Sequence, residues 1–464
     1  MEKLSQELEP PNSKKAKQLY RMLWRWHFYA GVFAIPFVII LSITGALYLF
    51  KPQLDAIHDA PYRNLTINDT LATPEQQVTA ALAAVPNATL SAYELPREKN
   101  DAVNILLNQS GEKIRTYIHP QTLAVLLIEH EEKRFLRLVH DIHGELLLGK
   151  TGAILVELAA CWAIVLVVTG IYLCWPRNAK GFAGVLYPRL AFKGLLFWRD
   201  MHSVTGMWIS FFVLFLLISG LPWALVWGSA FKEVRQLTGT AAQQQDWVIT
   251  SRKNLAQVDE HAEHHTEMNA NENATNHATL PLDNEPLKKI SLNTMITNAQ
   301  QLQFAHPVLV TPPSQQSTHW SVKSNSQNRP LRSDAYFDAQ TGALINQQTF
   351  SQRHVIDRAI GIGIASHEGQ LFGWFNQLLG LLTALGLVIM SVAGFMMWRK
   401  RAPQGALGAP PAMPEAKVSV GFVVIILVAA LLLPVLGASL IIIVLLEKLF
   451  LYGWKRSKVW LGVM

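Results

Sequence analysis

Long, nearly uninterrupted apolar stretches recur along the chain, at about His27–Phe50, Leu148–Trp175, His202–Trp227, Leu371–Trp398 and Val418–Leu446. Each is long enough to cross a hydrocarbon core of about 30 Å, which takes about 20 apolar residues. The pattern changes between them. Residues 51–147 and 228–366 are domain-sized and polar, and within them shorter signals emerge. Pro74–Val85 and Ser291–Leu302 carry helical spacing. Period-2 runs near Thr89–Leu95, Val103–Leu107, Val308–Thr311, Trp320–Lys323 and Ala335–Asp338 predict strands. Each outer segment therefore reads as a small α+β unit. Within the second, Asp259–His277 is polar and low in complexity, which predicts a disordered insertion.

Composition agrees with a membrane protein. Half of the 464 residues are hydrophobic and 16% are charged, against roughly 25% charged in soluble domains. A soluble enzyme is excluded. Basic residues collect before the first span (Lys14, Lys15, Lys17, Arg21, Arg25), between the second and third (Arg177, Lys180, Arg189, Lys193, Arg199) and after the fourth (Arg399, Lys400, Arg401). The positive-inside rule places these segments in the cytoplasm and both long loops outside, with Trp24, Trp26, Trp175, Trp198 and Trp398 as an aromatic belt. The net charge of +7 is thus topology rather than nucleic-acid binding. The last apolar stretch contains Pro434 and Gly437, which allow a hairpin; one long helix is the preferred reading, although it leaves Lys455, Arg456 and Lys458 outside. The two cysteines, Cys161 and Cys174, form neither a CxxC pair nor a haem-attachment motif.

The two halves of the chain match in their spacing. His27 is followed by Gly31 at four residues and Gly45 at eighteen; His202 is followed by Gly206 at four and Gly220 at eighteen. His143 is followed by Gly149 at six and Gly170 at twenty-seven; His367 by Gly373 at six and Gly394 at twenty-seven. Tyr117-Ile-His-Pro-Gln-Thr and Tyr336-Phe-Asp-Ala-Gln-Thr echo one another in the outer segments. The chain thus reads as a duplicated helix–domain–helix unit plus a C-terminal span. By depth, His27 and His202 lie at the cytoplasmic end and His143 and His367 at the outer end. Facing histidines in a four-helix bundle suit two haems, each held between two imidazoles, with the small residues beside them leaving room for a macrocycle. His140, one turn before His143, is the alternative ligand. Arg25 and Arg199 stand where they could pair with haem propionates, or serve only as topological anchors. The glycines could equally serve helix packing. His261, His264, His265 and His277, interleaved with Glu260, Glu263 and Glu267, could bind a metal, but a solvated linker is the preferred reading.

The residues Trp-Arg-Trp-His-Phe-Tyr-Ala-Gly at 24–31, His-Asp-Ile-His-Gly-Glu-Leu-Leu-Leu-Gly at 140–149, Trp-Arg-Asp-Met-His-Ser-Val-Thr-Gly at 198–206, His-Glu-Gly-Gln-Leu-Phe-Gly at 367–373 and Pro-Val-Leu-Gly-Ala-Ser-Leu at 434–440 resemble the bacterial PepSY-associated transmembrane-helix proteins, and among them the inner-membrane ferric-siderophore reductases. The resemblance implies PepSY-type periplasmic domains, two b-type haems on His27, His143, His202 and His367, and a role in iron uptake. It makes a ferric siderophore the substrate. The electron donor would be quinol or a separate cytoplasmic reductase, because no GxGxxG or P-loop opens a helix in a soluble segment. The rival reading is a metal or haem transporter, which would call for charged groups near the midplane; the spans are expected to lack them.

Overall fold

The computed structural model describes residues 14–177, 181–240, 290–314, 318–410, 420–451 and 460–461. The His-rich run Asp259–His277 and the basic tail residues Lys455, Arg456 and Lys458 lie outside them. The described residues form two compact units: one holds the apolar helices, and the other is built from residues within 51–138 and 240–371.

In the helical unit, four helices are long and apolar enough to cross a membrane. These are α1 (Lys14–Leu49), α5 (Lys150–Cys174), α6 (Leu195–Gly220) and α10 (Trp374–Arg401). Helix α1 packs on α5 and α10, and α6 packs on the same two, so the four close into a ring with α1 and α6 facing across it. Gly149 and Gly373, six residues after their histidines, cap α5 and α10 at their N-termini with the same backbone, φ 59° and ψ −138°. Only glycine adopts that region readily, which is why the spacing carries it.

The third apolar stretch does not run straight to Trp227. It breaks after Gly220 into a short 3₁₀ turn and restarts as α7 (Leu225–Leu237). Glu157, buried inside α5, accepts hydrogen bonds from the Val226 and Trp227 amides at 2.8 and 3.0 Å. These amides are orphan donors of the first turn of α7. The expectation that the spans lack charged residues fails at Glu157, and the physical reason is this cap.

The last apolar stretch is also broken. Helices α11 (Val420–Leu432) and α12 (Pro434–Leu446) meet at Leu433. Thirteen residues span about 20 Å, short of a bilayer core. Phe422 packs against Trp26 with ring centres 5.7 Å apart, and beyond α12 the Trp460 carbonyl accepts the Leu407 amide at 2.9 Å. The stretch therefore leaves and returns at one end of the bundle. A single crossing helix is corrected to a helical hairpin: the backbone leaves helical geometry at Leu433, φ −125° and ψ 83°, and Pro434 opens the second helix at its first position, where no amide is needed.

The other unit is one antiparallel sheet of eight strands in the order β4-β3-β2-β1-β5-β6-β7-β8. The strands are β1 (Thr89–Glu94), β2 (Val103–Gln109), β3 (Glu112–Ile118), β4 (Val125–His130), β5 (Val308–Thr311), β6 (His319–Ser324), β7 (Ser333–Asp338) and β8 (Leu344–Thr349). Helix α3 (Pro74–Ala84), with a Thr73–Gln76 capping box, precedes the first four strands. Helix α8 (Leu292–Gln301), capped by Ser291, precedes the last four. The two outer segments are therefore not independent α+β units. They join edge to edge, Tyr93 opposite Val310 and Glu94 opposite Leu309. Ile105, Leu107, Met295, Val310 and Val322 share one core. Joining removes an exposed edge from each half, which would otherwise offer unpaired backbone groups. The chain also forms α2 (Lys51–Asp59), α4 (Phe135–Glu145) and α9 (Val355–His367).

Candidate functional site

His27 on α1 and His202 on α6 meet inside the helical bundle. Their ring centres are 6.2 Å apart and their planes are crossed at 88°. Two imidazoles on opposite sides of one iron, each bonded at about 2 Å, put their ring centres about 6 Å apart. The pair stands at that spacing.

Each ring is tied from behind. The His27 Nδ1 lies 2.9 Å from the Thr169 Oγ1, and the Thr169 hydroxyl in turn donates to the Val165 carbonyl at 2.7 Å. The His202 Nδ1 donates to the Met390 carbonyl at 2.9 Å. A histidine that ligates a metal characteristically donates its other ring N–H to such a partner. The space beside the rings comes from glycine. A Cβ on Gly170 would stand 3.2 Å from the His27 Cε1, and one on Gly394 would stand 3.5 Å from the His202 Nδ1.

The rings open on a cavity of about 790 Å³, within the usual range of small-molecule sites. Its walls are mainly aliphatic, and Gly31, Gly170, Gly206 and Gly394 all line it. Five cations, Lys17, Arg21, Arg189, Arg199 and Arg401, also line it, with no carboxylate among the described lining residues. An apolar slot with a cationic rim and two facing imidazoles matches the chemistry of haem: a flat apolar macrocycle, two propionates and an iron with two axial positions. Among the described residues no three His, Cys, Asp or Glu side chains converge as a metal cage.

The two arginines expected at propionates part company. Arg199 lines the cavity, bonded to buried Asp200 at 3.0 Å, and Arg189 grips the same carboxylate at 2.7 Å. Arg25 does not line it: its guanidinium donates to the Pro410 carbonyl and, at 3.3 Å, to the Tyr29 hydroxyl. Arg21, on the same helix, lines the cavity where Arg25 does not.

At the other end of α1 the arrangement repeats. His143 on α4 has its Nδ1 3.0 Å from the Thr44 Oγ1, whose hydroxyl donates to the Ile40 carbonyl at 2.8 Å. A Cβ on Gly45 would stand 3.1 Å from the His143 Cε1. His140, half-buried like His143, contacts its neighbour Asp141 and the Tyr48 ring among the interactions described for it. His143 thus has the ligand-type surroundings. His367 is the last residue of α9, in the sheet-bearing unit; its pairing with His143 rests on the sequence repeat. The candidate ligands His261, His264, His265 and His277 lie outside the described residues.

Sequence reasoning missed Thr169, Met390, Arg21, Arg189 and Arg401. One signal was available: the dipeptide Thr-Gly occurs at 44–45 and at 169–170, and each supplies both the hydroxyl and the gap for one imidazole. No comparable signal marks the Met390 carbonyl, since any residue carries one. The family model described as PepSY-associated TM region matches residues 24–401. No curated protein matches the chain.

Proposed function

The chain belongs to the PepSY-associated transmembrane family, and on that premise we propose that it is a di-haem electron carrier of the bacterial inner membrane that reduces a ferric siderophore and releases Fe(II) at the periplasmic face. The observation that carries this reading is the crossed His27–His202 pair at 6.2 Å, opening on a cation-rimmed apolar cavity. Haem between two imidazoles supplies a one-electron Fe(III)/Fe(II) couple with no open coordination position. His27 and His202 would hold one haem and His143 and His367 the other. The aliphatic walls would keep water from the bound group, and Lys17, Arg21, Arg199 and Arg401 would balance the propionates. The substrate's hard oxygen ligands hold Fe(III) far better than Fe(II), so one electron loosens the metal without breaking the chelator. Quinol or a separate cytoplasmic reductase would supply that electron. The transporter reading loses its best midplane group, because the Glu157 carboxylate is committed to the α7 amides.

The test is an optical spectrum of the detergent-purified chain, oxidised and then reduced with dithionite, with haemochrome quantitation. A low-spin b-type spectrum near two haems per chain is expected, falling to about one for His27→Ala or His202→Ala. The loaded protein should reduce a ferric siderophore in the presence of an Fe(II) trap. A colourless protein expressed with ample haem would overturn the proposal.

A further inference from the structure

Thr169 has one hydroxyl hydrogen, and it is spent on the Val165 carbonyl at 2.7 Å. With that hydrogen on the shorter bond to Val165, the Thr169 oxygen accepts from the His27 Nδ1 at 2.9 Å and that nitrogen carries the proton. The Met390 carbonyl has no hydrogen at all, so the His202 Nδ1 facing it at 2.9 Å is protonated too. Both rings are left with the Nε2 lone pair as their only ligating position. Their orientation is equally constrained. Turning the His27 ring about its Cβ–Cγ bond would break the bond to Thr169. The observed planes are crossed at 88°.

We propose that Thr169 and the Met390 carbonyl are positioning groups that lock His27 and His202 into one tautomer with crossed planes, so that an iron held between them has perpendicular axial imidazoles. The inference rests on the haem reading of this cavity. Perpendicular ligand planes leave two of the iron d orbitals close in energy, and a low-spin ferric centre then gives one broad low-field EPR feature. Parallel planes separate those orbitals and give three resolved rhombic features. The Nδ1–H bond to Thr169 also makes the imidazole a stronger donor, which favours Fe(III).

The experiment is EPR and a redox titration on the full-length, haem-loaded chain in a His143→Ala background, where the His27/His202 site alone is expected to be filled. The single low-field feature is expected. In Thr169→Val that feature should move to higher field and the midpoint potential should rise. Thr169→Ser, which keeps the acceptor, should leave both unchanged. A rhombic spectrum from the otherwise unaltered site overturns the inference without recourse to any Thr169 variant. So does a Thr169→Val protein that matches its parent in spectrum and potential. Absence of haem from the native chain is a separate outcome: it overturns the reading of the cavity, and the inference with it.

Discussion

A methyl group on Gly170 would meet the His27 ring at 3.2 Å, while one on Gly394 would meet the His202 ring at 3.5 Å. The first forces the imidazole to move and the second is ordinary contact, so matched glycines are not equivalent. Gly170→Ala should lower the haem content and shift the haem bands, while Gly394→Ala should leave both near native; equal effects would show that the gap beside His27 is not needed. A second residue-level consequence concerns Glu131, in the sheet-bearing unit. Burial by itself raises its carboxyl pKa, but the Arg115 guanidinium bonded to it, with Arg134 nearby, outweighs burial and holds it below the usual carboxylate range. A depressed folded-state pKa contributes stability that is complete above the unfolded value and is lost as pH falls through the folded one. Between about pH 6 and 3 the melting temperature should therefore drop more steeply in the native chain than in Glu131→Gln. Parallel curves in scanning calorimetry would refute the assignment.

Elements in this chain end where polar groups take over from packing. Helix α7 exists as a separate helix because Glu157 satisfies its first amides. Glu157→Ala would leave two donors without that acceptor, at a cost of about 1–3 kcal/mol. Hydrogen exchange at Val226 and Trp227 should quicken, whereas Glu157→Gln, which keeps an acceptor, should be milder; unchanged exchange in Glu157→Ala would remove the cap from the account. The tail hairpin follows the same logic, with Pro434 opening α12 and Leu433 and Leu436 packing with Cys161 and Leu221. Its preference over a single span was not legible in the apolar pattern, since both forms bury the same side chains in lipid.

Within the sheet-bearing unit, two segments more than a hundred residues apart in sequence make one structure. Ile105 and Leu107 from the first segment and Val310 and Val322 from the second are fully buried in a shared core. That core should unfold cooperatively. Native-state hydrogen exchange on β2 and β6 is expected to give one common opening free energy, and two distinct values would mean that the halves fold separately. Legible in the sequence were what repeats and what is apolar: four of the five expected spans, the spacing of histidines and glycines, the helices over Pro74–Val85 and Ser291–Leu302, and most central strands. These depend on local periodicity and on residues with unique backbone or ligand chemistry. Strands β3, β4 and β8 escaped because their patterns are weak, β8 being almost wholly exposed. The tertiary structure alone decided which glycine faces which histidine, that Arg21 rather than Arg25 lines the cavity, that Met390 lends a carbonyl, and that two sheets are one. Each depends on how separate elements meet in space, and a contact between distant backbone atoms leaves no mark on the side chains that supply it.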